Sequence, residues 1–135
     1  MMIKMLMLVG VGGGLGAMLR FLTVNQAARL FGAGFPVGTL TVNVVGSFLI
    51  GIVAGAILSR LPSEALSIDE WRALLITGFL GGFTTFSAFS LDVMLLWERR
   101  AFTAATAYVG GSVVLSILAV MLGLMLARGA GGNGL

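Results

Sequence analysis

Cysteine and histidine are absent from the 135 residues, proline occurs twice, and only five residues are acidic. Each shortage removes a class of chemistry. Without histidine or cysteine there is no zinc site of the usual kind, no thiolate nucleophile, no disulfide, no Ser-His-Asp triad and no histidine-ligated haem. Glu64, Asp69 and Glu70 share one polar stretch and Glu98 follows Trp97, which leaves Asp92 as the sole carboxylate inside a hydrophobic run. Acid–base catalysis by two converging carboxylates has nothing to build on, so an enzyme is not expected. Charge is scarce as well. Charged residues make up 10% of the chain and hydrophobic ones 59%, whereas roughly one quarter of an ordinary soluble domain is charged. The eight basic residues are dispersed among apolar runs. They form no stripe to match a phosphate backbone, and no nucleic-acid partner is expected.

What the chain has is apolar length. Leu30–Ser59, Ala73–Leu91 and Ala101–Ala127 carry no charge, and each meets the roughly 20 residues that a bilayer-spanning helix needs. Four spans are expected. Span 1 runs from Ile3 to Leu22 or beyond, with Arg20 near its end, and Phe31–Val37 turns the chain around Pro36. Span 2 runs from Gly38 to Ser59. A polar loop then carries Arg60, Pro62, Glu64, Asp69 and Glu70. Span 3 lies between Trp71 and Trp97, about 39 Å apart along a helix at 1.5 Å per residue, which matches a bilayer with its interfaces. Glu98-Arg99-Arg100 forms a tight connection to span 4, Ala101–Ala127. The spans make one domain, residues 1–128, and the glycine-rich tail 129–135 is expected to be disordered. Met1–Ala17 has the outline of a signal peptide, but Arg20 and the continuing hydrophobicity do not fit a cleaved leader. Four spans place Lys4, Arg60, Arg72 and Arg128 on one side, against Arg29, Arg99, Arg100 and, if it leans that way, Arg20 on the other. A chain without positive-inside bias can insert both ways, and two opposed copies can pair about a two-fold axis in the membrane plane. A single orientation set by another signal is the alternative.

Several runs carry candidate chemistry. Gly12-Gly13-Gly14-Leu15-Gly16-Ala17 formally fits a dinucleotide fingerprint, yet no strand precedes it and no acid follows at the expected distance. Gly10/Gly14, Gly12/Gly16 and Gly51/Gly55 instead have the spacing for close helix contact in lipid. In span 3, Thr77-Gly78-Phe79-Leu80-Gly81-Gly82-Phe83-Thr84-Thr85-Phe86-Ser87-Ala88-Phe89-Ser90 is centred on position 84, midway between the tryptophans. Gly81-Gly82 favours unwinding there, which would free backbone carbonyls to coordinate Na⁺ at the midplane of an opposed pair. From these residues alone an unbroken helix whose glycines admit a neighbour is the favoured alternative, since glycine is common in membrane helices.

Phe86 and Phe89 share a helix face, and their positive ring edges could meet an anion without trapping it, although plain packing is the commoner role of such rings. Tyr108, Ser112 and Ser116 form a hydroxyl stripe about 12 Å long, and Thr39, Asn43 and Ser47 form a second. The serines can instead bond back to their own helix and Tyr108 can anchor at an interface. Asn43 needs a partner, either a neighbouring helix or a permeating ion. Arg20 either snorkels to the interface or supplies a fixed positive charge that draws anions into a vestibule. Asp92 is the only candidate for proton coupling.

Gly16-Ala17-Met18-Leu19-Arg20, Gly38-Thr39-Leu40-Thr41-Val42-Asn43 and the span 3 run from Gly78 to Ser90 resemble the Fluc (CrcB-type) fluoride channel family, across essentially all four spans. The resemblance implies an all-α membrane protein of four transmembrane helices, the third broken near its middle. It further implies an antiparallel dual-topology homodimer with two fluoride pores and a central structural Na⁺. Carried over by motif position, the Na⁺ ligands are the backbone carbonyls of Gly81 and Thr84. Phe86 and Phe89 line the pores, Asn43 is a pore amide, Tyr108, Ser112 and Ser116 form the polar track, and Arg20 matches the span 1 arginine. Two departures stand out: Ala88 replaces a threonine of the family's usual pattern, with Ser87 or a water as substitute, and Asp92 stands where glutamate is common. The expected function is passive export of cytoplasmic fluoride across the cell (inner) membrane, with neutral donors replacing the ion's hydration. The alternatives are a dual-topology small multidrug transporter, which needs an embedded acid that span 1 lacks, and a non-transporting membrane adaptor.

Overall fold

The structure, a computed structural model, describes residues 1–57 and 66–129. Arg60, Pro62 and Glu64 of the polar loop, and residues 130–135 of the tail, lie outside the described residues. Among the described residues, four helical spans are long and apolar enough to cross a membrane: Met2–Phe31, Val37–Ala56, Ile68–Glu98 and Phe102–Gly129. The chain is thus an all-helical, multi-pass membrane protein.

Helix α1 (Met2–Phe31) is longer than expected. At 1.5 Å per residue it reaches about 45 Å, enough to cross both interfaces as well as the hydrocarbon. Its end is set by Gly32, whose φ of 79° is open to glycine and whose N–H returns to the Ala28 carbonyl. Arg20 therefore lies well inside the helix rather than near its end, and simple snorkelling from a terminus does not describe it. Helix α2 (Val37–Ile57) follows Pro36.

The third span is composite. Helix α3 (Ile68–Trp71) opens with a capping box in which the Ser67 side chain accepts from the Glu70 N–H while the Glu70 carboxylate accepts from the Ser67 N–H. It runs into a π-helical segment, Arg72–Leu80, then α4 (Gly81–Phe83). Thr84 and Thr85 are extended, and α5 (Phe86–Glu98) resumes the crossing. The span is broken near its middle, as the resemblance implies. The break does not fall on the glycines, however: Gly81-Gly82 stay helical and the winding is lost at the two threonines that follow. After a tight turn in which Arg100 takes a left-handed φ of 58°, α6 (Phe102–Gly129) completes the bundle. Trp97 and Phe102 meet edge to face across that turn, ring centroids 4.7 Å apart.

Two seams of small residues hold the spans together. Along α1, a Cβ on Gly12 or Gly16 would overlap backbone of the π-helical segment, and one on Gly82 would overlap the Gly13 carbonyl. Between α2 and α6, Gly51 and Gly123 face each other so closely that a Cβ on either would enter the opposite backbone. Lipid tails supply no hydrophobic force between helices, so this approach, which maximises dispersion contact, does much of the joining. Gly10 and Gly14 meet nothing within 4 Å and are not part of either seam. An ion pair of 2.7 Å between Lys4 and Glu70 ties the start of α1 to the start of the third span.

The contrast between Gly16 and Gly14 is testable by thermal unfolding in detergent. Gly16→Ala is expected to destabilise by about 1–3 kcal/mol through overpacking. Gly14→Ala, with better helix propensity and open space, is expected not to lower the melting temperature.

Candidate ion pathway

The break sets the geometry of the site. An unbroken helix would give the Thr85 N–H to the Gly81 carbonyl. Here that N–H donates to Asn43 Oδ1 at 2.7 Å, and Asn43 Nδ2 donates to the Thr85 carbonyl at 2.9 Å. One side chain of α2 thus replaces the partner that the Thr85 N–H loses and adds a donor to the Thr85 carbonyl, which as the N-cap of α5 also opens that helix. The Thr85 hydroxyl accepts from the Ala88 N–H at 3.1 Å, capping α5, and lies 3.2 Å from Ser87 Oγ. The Thr84 N–H and hydroxyl both donate to the Leu80 carbonyl. The Thr84 carbonyl accepts from the Arg20 guanidinium at 3.2 Å. Opposite, Gly46 leaves room for the Thr84 methyl group, which a Cβ there would overlap.

This explains the position of the break. Threonine is β-branched and a good N-cap, and three spans converge on Thr84-Thr85 with partners for the freed groups. Gly81-Gly82 have backbone freedom but are needed helical, because Gly82 is in tight contact with α1. Thr85 and Gly46 shape the break, and neither is among the candidate site residues of the sequence reading. The N-cap pattern of a threonine just before Phe86-Ser87-Ala88 is the one signal that points to Thr85.

A cavity of about 320 Å³ opens beside the break. Asn43, Phe86, Phe89, Ser112 and Ser116 all line it, together with Ser47, Thr84 and Thr85. Among the described residues, no charged side chain does. The Phe86 and Phe89 ring centroids are 5.5 Å apart and tilted by 41°, with Phe86 78% exposed and Phe89 partly buried. Ser112 is 6% exposed, and its hydroxyl is buried with no hydrogen-bond partner among the described residues.

Tyr108, Ser87, Gly81, Arg20 and Asp92 do not line this cavity. Tyr108 is fully buried beyond Phe89, its ring 5.2 Å from that phenyl and 5.6 Å from Phe35, and its hydroxyl donates to Asp92 at 3.0 Å. It is no interfacial anchor. Asp92 lines a second cavity of about 160 Å³ with Thr39 and the α1–α2 turn. Ser87 is exposed, Gly81 is exposed, and Arg20 is half-buried on the α1 side of the break. Ser87 Oγ lies 3.2 Å from the Thr85 hydroxyl.

Among the described residues, no three acidic, histidine or cysteine side chains converge to hold a metal ion. A cation at the break would need backbone carbonyls. Gly81 is an exposed residue whose carbonyl is deprived of its helical amide, and Thr84 has a carbonyl outside any helix with Arg20 on one of its two lone pairs. These hard oxygen donors fit a sodium ion.

Asn43→Leu leaves the buried Thr85 N–H unpaired, at about 1–3 kcal/mol, and removes one of the hydrogen bonds on its carbonyl. Its melting temperature is expected to fall accordingly, while Ser47→Ala, one turn along the same helix, costs less than about 1 kcal/mol.

A family described as CrcB-like protein, Camphor Resistance (CrcB), matches residues 7–124. Among curated relatives, the fluoride-specific ion channel FluC of Chelativorans sp. (strain BNC1) is 55% identical over 123 residues, covering 91% of this chain and 95% of that protein. The protein of the same name from Phenylobacterium zucineum (strain HLK1) is 50% identical over 123 residues, 91% and 94% of the two chains. That from Cereibacter sphaeroides (strain ATCC 17029 / ATH 2.4.9) is 49% identical over 128 residues, 95% and 98%. The chain belongs to the CrcB family, whose members are ion channels and not enzymes.

Proposed function

We propose that this chain is a fluoride-selective channel that lets cytoplasmic fluoride leave passively across the cell (inner) membrane, and that it works as an antiparallel homodimer of two inverted copies. The relatives' name supports fluoride as the ion. The observation that carries the reading is the buried, unpartnered Ser112 hydroxyl facing a cavity lined by neutral donors and two phenyl rings. A buried hydroxyl without a partner costs free energy, and a dehydrated anion would satisfy it.

Fluoride is small and strongly hydrated, so a route through lipid must replace its water with donors close by. Ser112, Ser116 and the Thr85 hydroxyl offer O–H groups, Asn43 has one N–H beyond the one given to Thr85, and Phe86 and Phe89 offer ring edges. None carries a full charge, so none holds the ion too tightly for release. A larger halide would fit the same donors less well and recover less of its dehydration cost. Arg20 is the positive charge nearest the break and draws anions towards it. Tyr108 continues the hydroxyl stripe beyond Phe89.

The homodimer reading rests on what one chain leaves uncovered. Gly81 is exposed, its carbonyl lacks the Thr85 N–H that an unbroken helix would give it, and lipid hydrocarbon would offer no substitute. A second copy meeting the first at this level, with Gly81 and Thr84 carbonyls from both holding one Na⁺, covers it. The ion supplies positive charge for those oxygens and a structural joint. Among the described residues no acid lines the cavity, and Asp92 is engaged by Tyr108, which disfavours a proton-exchanging drug transporter.

Liposomes loaded with fluoride and read by a fluoride electrode provide the test. Efflux selective for fluoride over chloride, without a pH gradient, is expected, with Phe86→Leu and Ser112→Ala at least about tenfold slower, each losing about 1.4 kcal/mol or more of stabilisation. Proton-coupled drug uptake would mark a transporter, and no flux an adaptor. Undiminished fluoride flux in both variants would remove the assigned route.

A further inference from the structure

We infer that Arg20 sets how tightly the break holds sodium, acting as a built-in cation on the Thr84 carbonyl. The inference rests on the sodium reading above and deepens it. Arg20 is placed inside α1, not at its end, and its half-buried guanidinium donates to the Thr84 carbonyl at 3.2 Å, across 64 positions of sequence. A charge within a membrane span calls for a partner, and this arginine has taken a backbone oxygen of the break as one.

That oxygen is also one of the two carbonyls suited to Na⁺. It has two lone pairs, so Arg20 does not exclude a second cation, but any cation there sits against a positive charge one hydrogen-bond length from its ligand. Coulomb repulsion at such separation is substantial even at the effective dielectric of a protein site. The opposing effect would be structural: losing Arg20 could let the break relax and spoil the cradle. Other contacts already prevent this. Asn43 holds both backbone groups of Thr85, the Thr84 hydroxyl and N–H both donate to Leu80, and the Thr84 methyl is seated against Gly46. The geometry survives without the guanidinium, and the charge effect wins. Arg20 thus acts by its charge on the Thr84 carbonyl, weakening sodium binding in addition to drawing anions.

The test uses the full-length protein in detergent, with sodium chloride titrated against choline chloride at constant ionic strength and thermal stability as the readout. Wild type is expected to be stabilised by Na⁺. Arg20→Gln, which removes the charge, is expected to reach half-saturation at roughly tenfold lower Na⁺ or less, whereas Arg20→Lys, which keeps the charge, stays near wild type. Equal or weaker sodium dependence in Arg20→Gln overturns the inference, as does a shift in Arg20→Lys as large as in Arg20→Gln. A wild-type protein indifferent to Na⁺ overturns the sodium reading itself and this inference with it. A measurement on the unmodified chain stands independently of variant folding: the Arg20 Nε–Hε resonance is expected to shift on adding Na⁺ and not choline, and an unmoved resonance contradicts the role.

Discussion

Asn43 pairs with the backbone of Thr85 through both atoms of its amide, and this one contact makes an extended stretch tolerable in the middle of a membrane. Hydrocarbon offers nothing to a peptide group that has left its helix, so a break costs several kcal/mol unless protein supplies donors and acceptors in the same places. An asparagine side chain has the same donor and acceptor as the peptide it replaces. Arg20 then takes the Thr84 carbonyl, and the Thr85 hydroxyl caps the helix that resumes. Three spans are joined at two residues, and the glycine seams let the helices come near enough for this to happen.

From the break follow two surfaces of different character. On the α2–α6 side lies the cavity, with hydroxyls, an amide and phenyl rings but no charge. On the α1 side lies the guanidinium, and Gly81 is exposed. In the proposed channel a passing anion would be offered neutral donors, while positive charge acts on the backbone of the break from the α1 side. Such separation suits conduction, which requires that an ion be attracted, stripped of water and let go again.

Much of this fold is legible in the sequence, since uncharged runs, flanking tryptophans and turn residues are direct consequences of bilayer thickness and backbone sterics. The four spans, the glycine contacts at Gly12, Gly16, Gly51 and Gly55, and the grouping of Asn43, Phe86, Phe89, Ser112 and Ser116 all follow that way or from the family resemblance. Other features depend on tertiary partners that no local pattern encodes. Gly81-Gly82 has the weaker helix propensity, yet Thr84-Thr85 unwinds because Asn43 and Arg20 arrive there from other spans. The length of α1 beyond Leu22, which puts Arg20 in its interior, is hidden by polar residues such as Asn25 and Gln26 that lie beyond the apolar run. Tyr108 shares a helical stripe with Ser112 and Ser116, but the Phe89 ring stands between it and the cavity. The π-helical winding of Arg72–Leu80 has no signature in composition at all.

Backbone chemical shifts of isotope-labelled protein in lipid bilayers read the winding of the third span residue by residue. Helical values over Arg72–Phe83 and Phe86–Glu98, interrupted by extended values at Thr84 and Thr85 alone, are the expected result. Uninterrupted helical values from Trp71 to Trp97 would contradict it.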